Sequence, residues 1–248
     1  MSHRLSVIMK NLLFILAILI SNGSYSIEVI TFVSDPYPPY VQENEATGII
    51  SGSAIDKIKQ IFSYIPKVKV EFRIRPWVRA MIEVEEGSAD AVLQISFKQE
   101  RTRKFQFTDP YISGRLNLYY NRFKYPKGIN WKVLPDLANY SIGTVRGYYY
   151  SDEWSNAEKS GVVNSSQLTN AESLIQFIIL DRVDIILLNK EVAELKLAEL
   201  DLQHKIIPLT KPLKTYSWHM AFSHRTQAKR LIPKINEIIH TLKLQGEL

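Results

Sequence analysis

The chain has 248 residues, a formal charge of +6 and no cysteine. With 46% hydrophobic and 23% charged residues, its composition is globular rather than disordered. The absence of cysteine excludes a disulfide scaffold, a thiolate metal site, a cysteine nucleophile and a lipid-anchored N-terminal cysteine, and the length suits one large domain or two small lobes.

The first 26 residues read as an address rather than as part of the fold. Arg4 and Lys10 accompany an unbroken apolar run of nine residues, 12–20, and Ser24, Tyr25 and Ser26 give a small-x-small cleavage site. Such a run is short of the ~20 residues that span a bilayer. A signal peptide cleaved near Ser26 is therefore expected. Export without cysteines points to a bacterial periplasm. Cleavage removes Arg4 and Lys10 and lowers the charge from +6 to +4.

Residues 27–34 are a β-rich run. Pro36, Pro38 and Pro39 cannot continue a central strand, so they predict a stiff loop that presents Tyr37 and Tyr40. Ile55, Ile58, Phe62 and Ile65 fall on one helical face. Residues 67–74 alternate as a strand. Pro76 opens a second helix, with Trp77, Ala80, Met81 and Val84 on its buried face and Gly87 ending it. Residues 89–96 form another buried strand. The order strand, helix, strand, helix, strand calls for a parallel sheet with covering helices.

A strand at 116–120 and a proline- and glycine-containing loop follow. A second α/β unit then begins, with strands at 141–145, 162–167 and 184–188. Its helices are expected at 152–159, at 171–182 behind an Asn170 cap, and at 191–200. Strands at 205–210 and 217–222 and a C-terminal helix close the chain. The extended segments near 116–121 and 217–222 are expected to pair as crossovers between two lobes, with a cleft between them. One lobe is then 27–116 with 222–248, and the other is 117–221. Ligands of open α/β sheets bind beyond the carboxyl ends of strands, which here carry residues 36–40, 94–96 and 146–149, and Asn189.

No catalytic signature accompanies this layout. There is no G-x-S-x-G, H-E-x-x-H or P-loop. His204, His219, His224 and His240 have no metal-ligand spacing with nearby acids, and Glu85 and Glu86 read as a solvated helix end. No catalytic residue, metal or cofactor is implied. No basic stripe suits a phosphate backbone, so nucleic acid is not an expected partner.

Seven segments in order carry a resemblance. They are Tyr37-Pro38-Pro39-Tyr40 after the first strand, Gly52 opening the first helix, and Gly87-Ser88-Ala89-Asp90-Ala91. A turn from Lys98 to Arg101 resembling T-x-E-R, with Phe107-Thr108-Asp109-Pro110-Tyr111 beyond it, comes next. Ile142-Gly143-Thr144-Val145-Arg146-Gly147 and Asp181-Arg182-Val183-Asp184 complete the set. From residue 27 to its end the chain resembles the bacterial extracellular solute-binding proteins of family 3. The resemblance implies an α/β fold, the two-lobed type II periplasmic-binding clamshell with a two-strand hinge. It also implies a monomeric receptor that hands a small solute to the permease of an ABC importer.

The resemblance makes Arg101 the partner of a ligand carboxylate. Independently, a guanidinium offers a planar two-pronged donor to such a group; the competing reading is an exposed arginine among Lys98, Arg103 and Lys104. Gln94 and Ser96, at alternate strand positions, would point the same way. Tyr37 resembles the aromatic residue stacked on the ligand, whereas Tyr40 reads as core. Arg146, Gly147 and Tyr148 would form an anion site where the chain enters a helix. Trp77 reads as core by its periodicity, and Arg79 as a partner of Glu83 four residues on. Amino-acid receptors of the family carry an aspartate where this chain has Asn189, and a neutral amide holds an ammonium less well than a carboxylate; Glu191 could substitute in another register. The expected ligand is a small carboxylate-bearing solute, an amino acid or related organic acid. An enzyme resembling cyclohexadienyl dehydratase, or a sensor acting with a partner protein, are the alternatives.

Overall fold

The computed structural model describes residues 27–248, so the expected signal peptide lies outside the described residues. Strand β1 (Glu28–Ser34) is followed by a short hairpin, β2 (Gln42–Glu43) and β3 (Ile50–Ser51), which the sequence reading missed. Helix α1 (Ser53–Ser63), β4 (Val68–Ile74), α2 (Trp77–Glu86) and β5 (Ala91–Ser96) complete the first unit. Next come a 3-10 turn (Gln99–Arg103), a third missed strand, β6 (Phe105–Phe107), and the long strand β7 (Ile112–Asn121). The second unit holds β8 (Ser141–Val145), α3 (Asp152–Lys159), β9 (Asn164–Leu168), α4 (Ala171–Ile179), β10 (Ile185–Asn189) and α5 (Lys190–Glu199). The chain ends with β11 (Ile206–Pro208), β12 (Lys214–Ser223) and α6 (Ile232–Leu244). No helix among the described residues is long and apolar enough to cross a membrane.

One continuous sheet runs β4-β1-β5-β12-β7-β10-β8-β9. Its two ends are parallel, β1 pairing β4 and β5, and β8 pairing β9 and β10. Between them β12 and β7 run antiparallel to each other and to their outer neighbours. The crossover pairing is Ile112–Leu116 with Lys214–Trp218, one side of the segments expected from sequence. Beyond it β7 pairs with β10 and β12 with β5, so each crossing strand belongs to both halves.

Two aspartates explain two of the sequence motifs. Asp90, just before β5, accepts the backbone N–H of Thr31 at 2.9 Å. Asp184, just before β10, accepts the N–H and hydroxyl of Ser141 at 2.8 and 2.7 Å. Each carboxylate thus locks the start of a buried strand to its parallel neighbour. Gly52 precedes α1 at φ +126°, where a Cβ would lie 2.3 Å from the Tyr40 carbonyl oxygen. Only glycine lets the loop after β1 pass so close.

α1 and α6 pack on one face of the first half through Ile55, Ile58 and Ile61 and through Ile235 and Ile239. α2 covers the other face with Ala80 and Val84. α4 ends at Ile179, three residues before the expected Arg182. Asn170 caps it as expected, its Oδ1 accepting the Ser173 N–H at 2.9 Å.

Candidate functional site

The parallel strands of both halves end at the same place. From the first half come Asp35 and Tyr37, following β1, and Gln94 and Ser96 in β5. From the second come Tyr148, Tyr149 and Tyr150 after β8, and Asn189 closing β10. The crossing strands add Leu116, Lys214, Tyr216 and Trp218; Trp77 of α2 and Arg101 of the 3-10 turn complete the wall. About 60 Å³ of this cavity is open to the centres of water molecules.

Six of the eight residues expected at a site thus meet: Tyr37, Gln94, Ser96, Arg101, Tyr148 and Asn189. Arg146 and Gly147 do not line the cavity and are exposed. The start of α3 is capped from within the chain, the Ser151 hydroxyl accepting the Trp154 N–H at 2.9 Å.

Gln94 reaches the cavity by a device that alternation alone does not supply. Val92 faces Ala221 and Ile95 faces His219, so β5 spends two residues where β12 spends only Met220. Within this bulge Gln94 adopts φ +59°. Ala91 and Leu93 pack in one core cluster and Val92 and Ile95 in the other, so the extra residue resets which face each later side chain takes. Bulges commonly re-aim side chains beside functional sites, and a left-handed non-glycine residue costs of order 1 kcal/mol. Both polar side-chain atoms of Gln94 are buried without a hydrogen-bond partner.

Direct bonds join the two sides of the cavity. The Tyr37 hydroxyl donates to Asn189 Oδ1 at 3.2 Å, and the Tyr148 hydroxyl donates to Asp35 Oδ2. Trp77 Nε1 donates to the Gly147 carbonyl at 3.1 Å. Trp77 is buried, as its helical periodicity indicates, yet it also lines the cavity and reaches the second half. Arg79 pairs with Glu83 at 3.8 Å, as its spacing suggests. Tyr40 is core: it stacks on Tyr37 with ring centres 6.3 Å apart, and its hydroxyl lies 3.1 Å from that of Tyr216.

Charge is arranged unevenly. Arg101 Nη1 donates to the Ser96 carbonyl at 2.9 Å, and its guanidinium lies 5.8 Å from the centre of the Tyr149 ring. Lys214 approaches the same ring at 4.9 Å. Neither cation has an ion-pair partner among the described residues. Burial lowers the pKa of both. Asp35 is the one acid in the wall, and sequence reading passed over it. Burial pushes its carboxyl up to about 7 against the opposing effect of the Tyr148 hydrogen bond. Glu191 does not line the cavity. It sits beside the Tyr40–Tyr216 pair, where burial first, and its charge second, hold the Tyr216 hydroxyl up at about 12. No His/Asp/Glu cluster suited to a metal occurs among the described residues.

The family model for bacterial extracellular solute-binding proteins, family 3, matches residues 29–248. No curated protein sequence matches at a significant level. Among solved structures, an ancestral arginine-binding protein bound to arginine superposes with a TM-score of 0.74 at 20% identity, over 88% of this chain and 94% of that one. The substrate-binding protein of an amino acid ABC transporter gives 0.70 at 22% identity, over 88% and 95%. An ancestral amino acid-binding protein, a precursor of cyclohexadienyl dehydratase, gives 0.70 at 19% identity, over 88% and 91%. At these identities the likeness carries the fold, the two-lobed α/β clamshell of the type II periplasmic binding proteins.

Proposed function

The chain belongs to the bacterial extracellular solute-binding proteins of family 3, and from that premise we propose that its cavity captures a small carboxylate-bearing polar solute, an amino acid or related organic acid. The observation that carries the carboxylate is the pair Arg101 and Lys214, both partly buried in the cavity wall without an ion-pair partner among the described residues. Desolvated cations are stabilised by an anion that offers two oxygens, and a guanidinium matches a carboxylate in a plane. Tyr37, Gln94, Ser96, Tyr148 and Asn189 complete the proposed contacts. Arg146 and Gly147 act at most through the turn that Trp77 touches.

The lobes are taken as 27–116 with 222–248, and 117–221, with β7 and β12 as the hinge between them. Closure then selects ligands that touch both lobes. The receptor works in the periplasm as a monomer after signal-peptide cleavage near Ser26, delivering to an ABC-importer permease, and needs no cofactor, metal or nucleic acid. Thermal shift against amino acids and small organic acids tests the reading. A rise in melting temperature with at least one carboxylate is expected, and none with its uncharged amide. A panel in which no carboxylate raises it overturns the proposal.

Asp35 favours a second reading, an enzyme on the same fold. It supplies what the sequence lacked, an acid inside the cavity with a carboxyl near 7, where a general acid works best. Turnover of prephenate, lost in Asp35→Asn, would replace binding with catalysis.

A further inference from the structure

Resting on the reading of this cavity as a carboxylate site, we infer that its ligand is a flat aromatic carboxylate without an α-ammonium group, rather than an α-amino acid. The first argument is the balance of free donors and acceptors. The Tyr37 hydroxyl already occupies Asn189 Oδ1, leaving Asn189 Nδ2 buried and without a partner. The Tyr148 hydroxyl occupies one oxygen of Asp35. Ser96 gives its carbonyl to Arg101. Asn189 Oδ1, the Ser96 carbonyl and one oxygen of Asp35 are therefore engaged within the protein, and burial holds the Asp35 carboxyl up at about 7, which weakens its remaining oxygen as an ammonium acceptor. The unengaged groups are mainly donors: Asn189 Nδ2, Gln94 Nε2, the rest of the Arg101 fork and Lys214, with Gln94 Oε1 and the second oxygen of Asp35 the exceptions. Buried donors without partners are costly, and a ligand that brings only acceptors relieves them. An ammonium would bring three more donors and a positive charge into a wall whose formal charge is already positive.

The second argument is shape. Tyr37 and Tyr148 meet at 80° with ring centres 5.9 Å apart, and Trp77 meets Tyr148 at 79° and 5.7 Å. Trp218 meets Tyr37 at 67° and 6.0 Å. Tyr40 covers one face of Tyr37, and rings set on edge to one another form an aromatic wall that takes a further ring by offset stacking or edge-on contact. Such a partner fits at the ~3.5–4 Å of carbon–carbon contact only if it is flat. The third argument is size. Each water needs about 10–15 Å³ of the space open to water centres and has about 30 Å³ in the liquid. The cavity's 60 Å³ is several times the room one water needs, which suits a compact ligand such as one aromatic ring with its carboxylate.

Calorimetric titration of the purified protein with benzoate, phenylacetate, cyclohexanecarboxylate and phenylalanine tests this, with a panel of aliphatic amino acids alongside. Tryptophan fluorescence reports closure around Trp77 and Trp218. Benzoate or phenylacetate is expected to bind at least tenfold more tightly than both cyclohexanecarboxylate, which has the carboxylate but not the flat ring, and phenylalanine. Equal binding of cyclohexanecarboxylate, or tighter binding of any amino acid, overturns the inference while leaving a carboxylate receptor in place. Failure of every acid and every amino acid to bind overturns both.

Discussion

Replacing Arg101 by methionine keeps most of the side chain's apolar stem and removes its charge. In the free protein the substitution loses one hydrogen bond, from Nη1 to the Ser96 carbonyl at 2.9 Å, and relieves the burial of a guanidinium. These effects oppose one another, so stability without ligand should change by no more than about 1 kcal/mol. Binding is different, because the ligand carboxylate then enters the cavity with Lys214 as its one remaining cation. A hydrogen bond to a charged group contributes roughly 1.5–3 kcal/mol, and stranding a desolvated charge by removing its partner costs about 2–5 kcal/mol. An affinity loss of about 2–4 kcal/mol follows, some thirty- to several-hundredfold in Kd. Arg101→Lys should fall between, because it keeps charge but not the planar fork. Calorimetry with the best ligand of the thermal-shift panel gives Kd, and a melt without ligand checks the fold. An Arg101→Met protein that melts like the wild type and binds within threefold of it would refute the assignment of the carboxylate to this end of the cavity.

Asp35 gives a pH prediction whose sign is unusual for an acid. Its folded pKa, about 7, lies above the ordinary aspartate value of 3.8, so the folded chain holds more protons between those limits and stability falls as pH rises through them. Asp35→Asn should remove that slope and, at about 2–4 kcal/mol, raise the melting temperature at pH 8 by roughly 4–16 °C; a lower melting temperature there contradicts the origin given for the shift. Gly147→Ala places a Cβ 3.2 Å from Val78 and 3.3 Å from Trp77 at φ +79°, which should weaken ligand affinity roughly five- to thirtyfold for a strain of about 1–2 kcal/mol, read by calorimetry; unchanged affinity would show that Trp77 need not dock on this turn. Phe32→Ala removes a fully buried ring packed on Phe62, Phe72 and Phe222 and should cost about 3–5 kcal/mol in urea unfolding.

The fold was legible where the local signal and the tertiary environment agree. Gly87 ends α2 at φ +80°, Asn170 caps α4, and the apolar face of α6 is the one that packs. The hairpin β2–β3 was not legible, because Gln42, Glu43 and their partners are exposed or half-buried and carry no alternation. Strand β6 was hidden for a related reason: three residues give no period, and only pairing with β12 makes Phe105–Phe107 a strand. The site followed the same division. Residues at the ends of parallel strands could be named from the order of elements, since topology alone delivers them to one edge. Lys214, Tyr216 and Trp218 could not, because they line the cavity from the middle of the crossover, where β12 passes from one half of the sheet to the other. Asp35 carries no periodic signal, because it lies between the end of β1 and the proline loop. The clue was available in an acid placed directly after a buried strand.

Several unfavourable terms meet at the cavity. The strands of the sheet satisfy their backbone groups in pairs, and the aspartates that start β5 and β10 are bonded to neighbouring chain. At the cavity three penalties sit together: a left-handed glutamine in a bulge, buried amide groups on Gln94 and Asn189 without partners, and a carboxyl held near 7 by burial. A core meant only for stability would replace such groups with apolar ones at little cost. The unpartnered amide N–H groups of Gln94 and Asn189 are relieved when a bound molecule supplies acceptors, so binding energy becomes folding energy in the same residues. The tyrosine bonds across the cavity, Tyr37 to Asn189 and Tyr148 to Asp35, act the other way, because they engage acceptors that a ligand would otherwise claim. A ligand is favoured here to the extent that it leaves those bonds intact and answers the donors beside them. On the proposed reading, that condition involves Asn189 and Asp35 in the choice of ligand as much as Arg101.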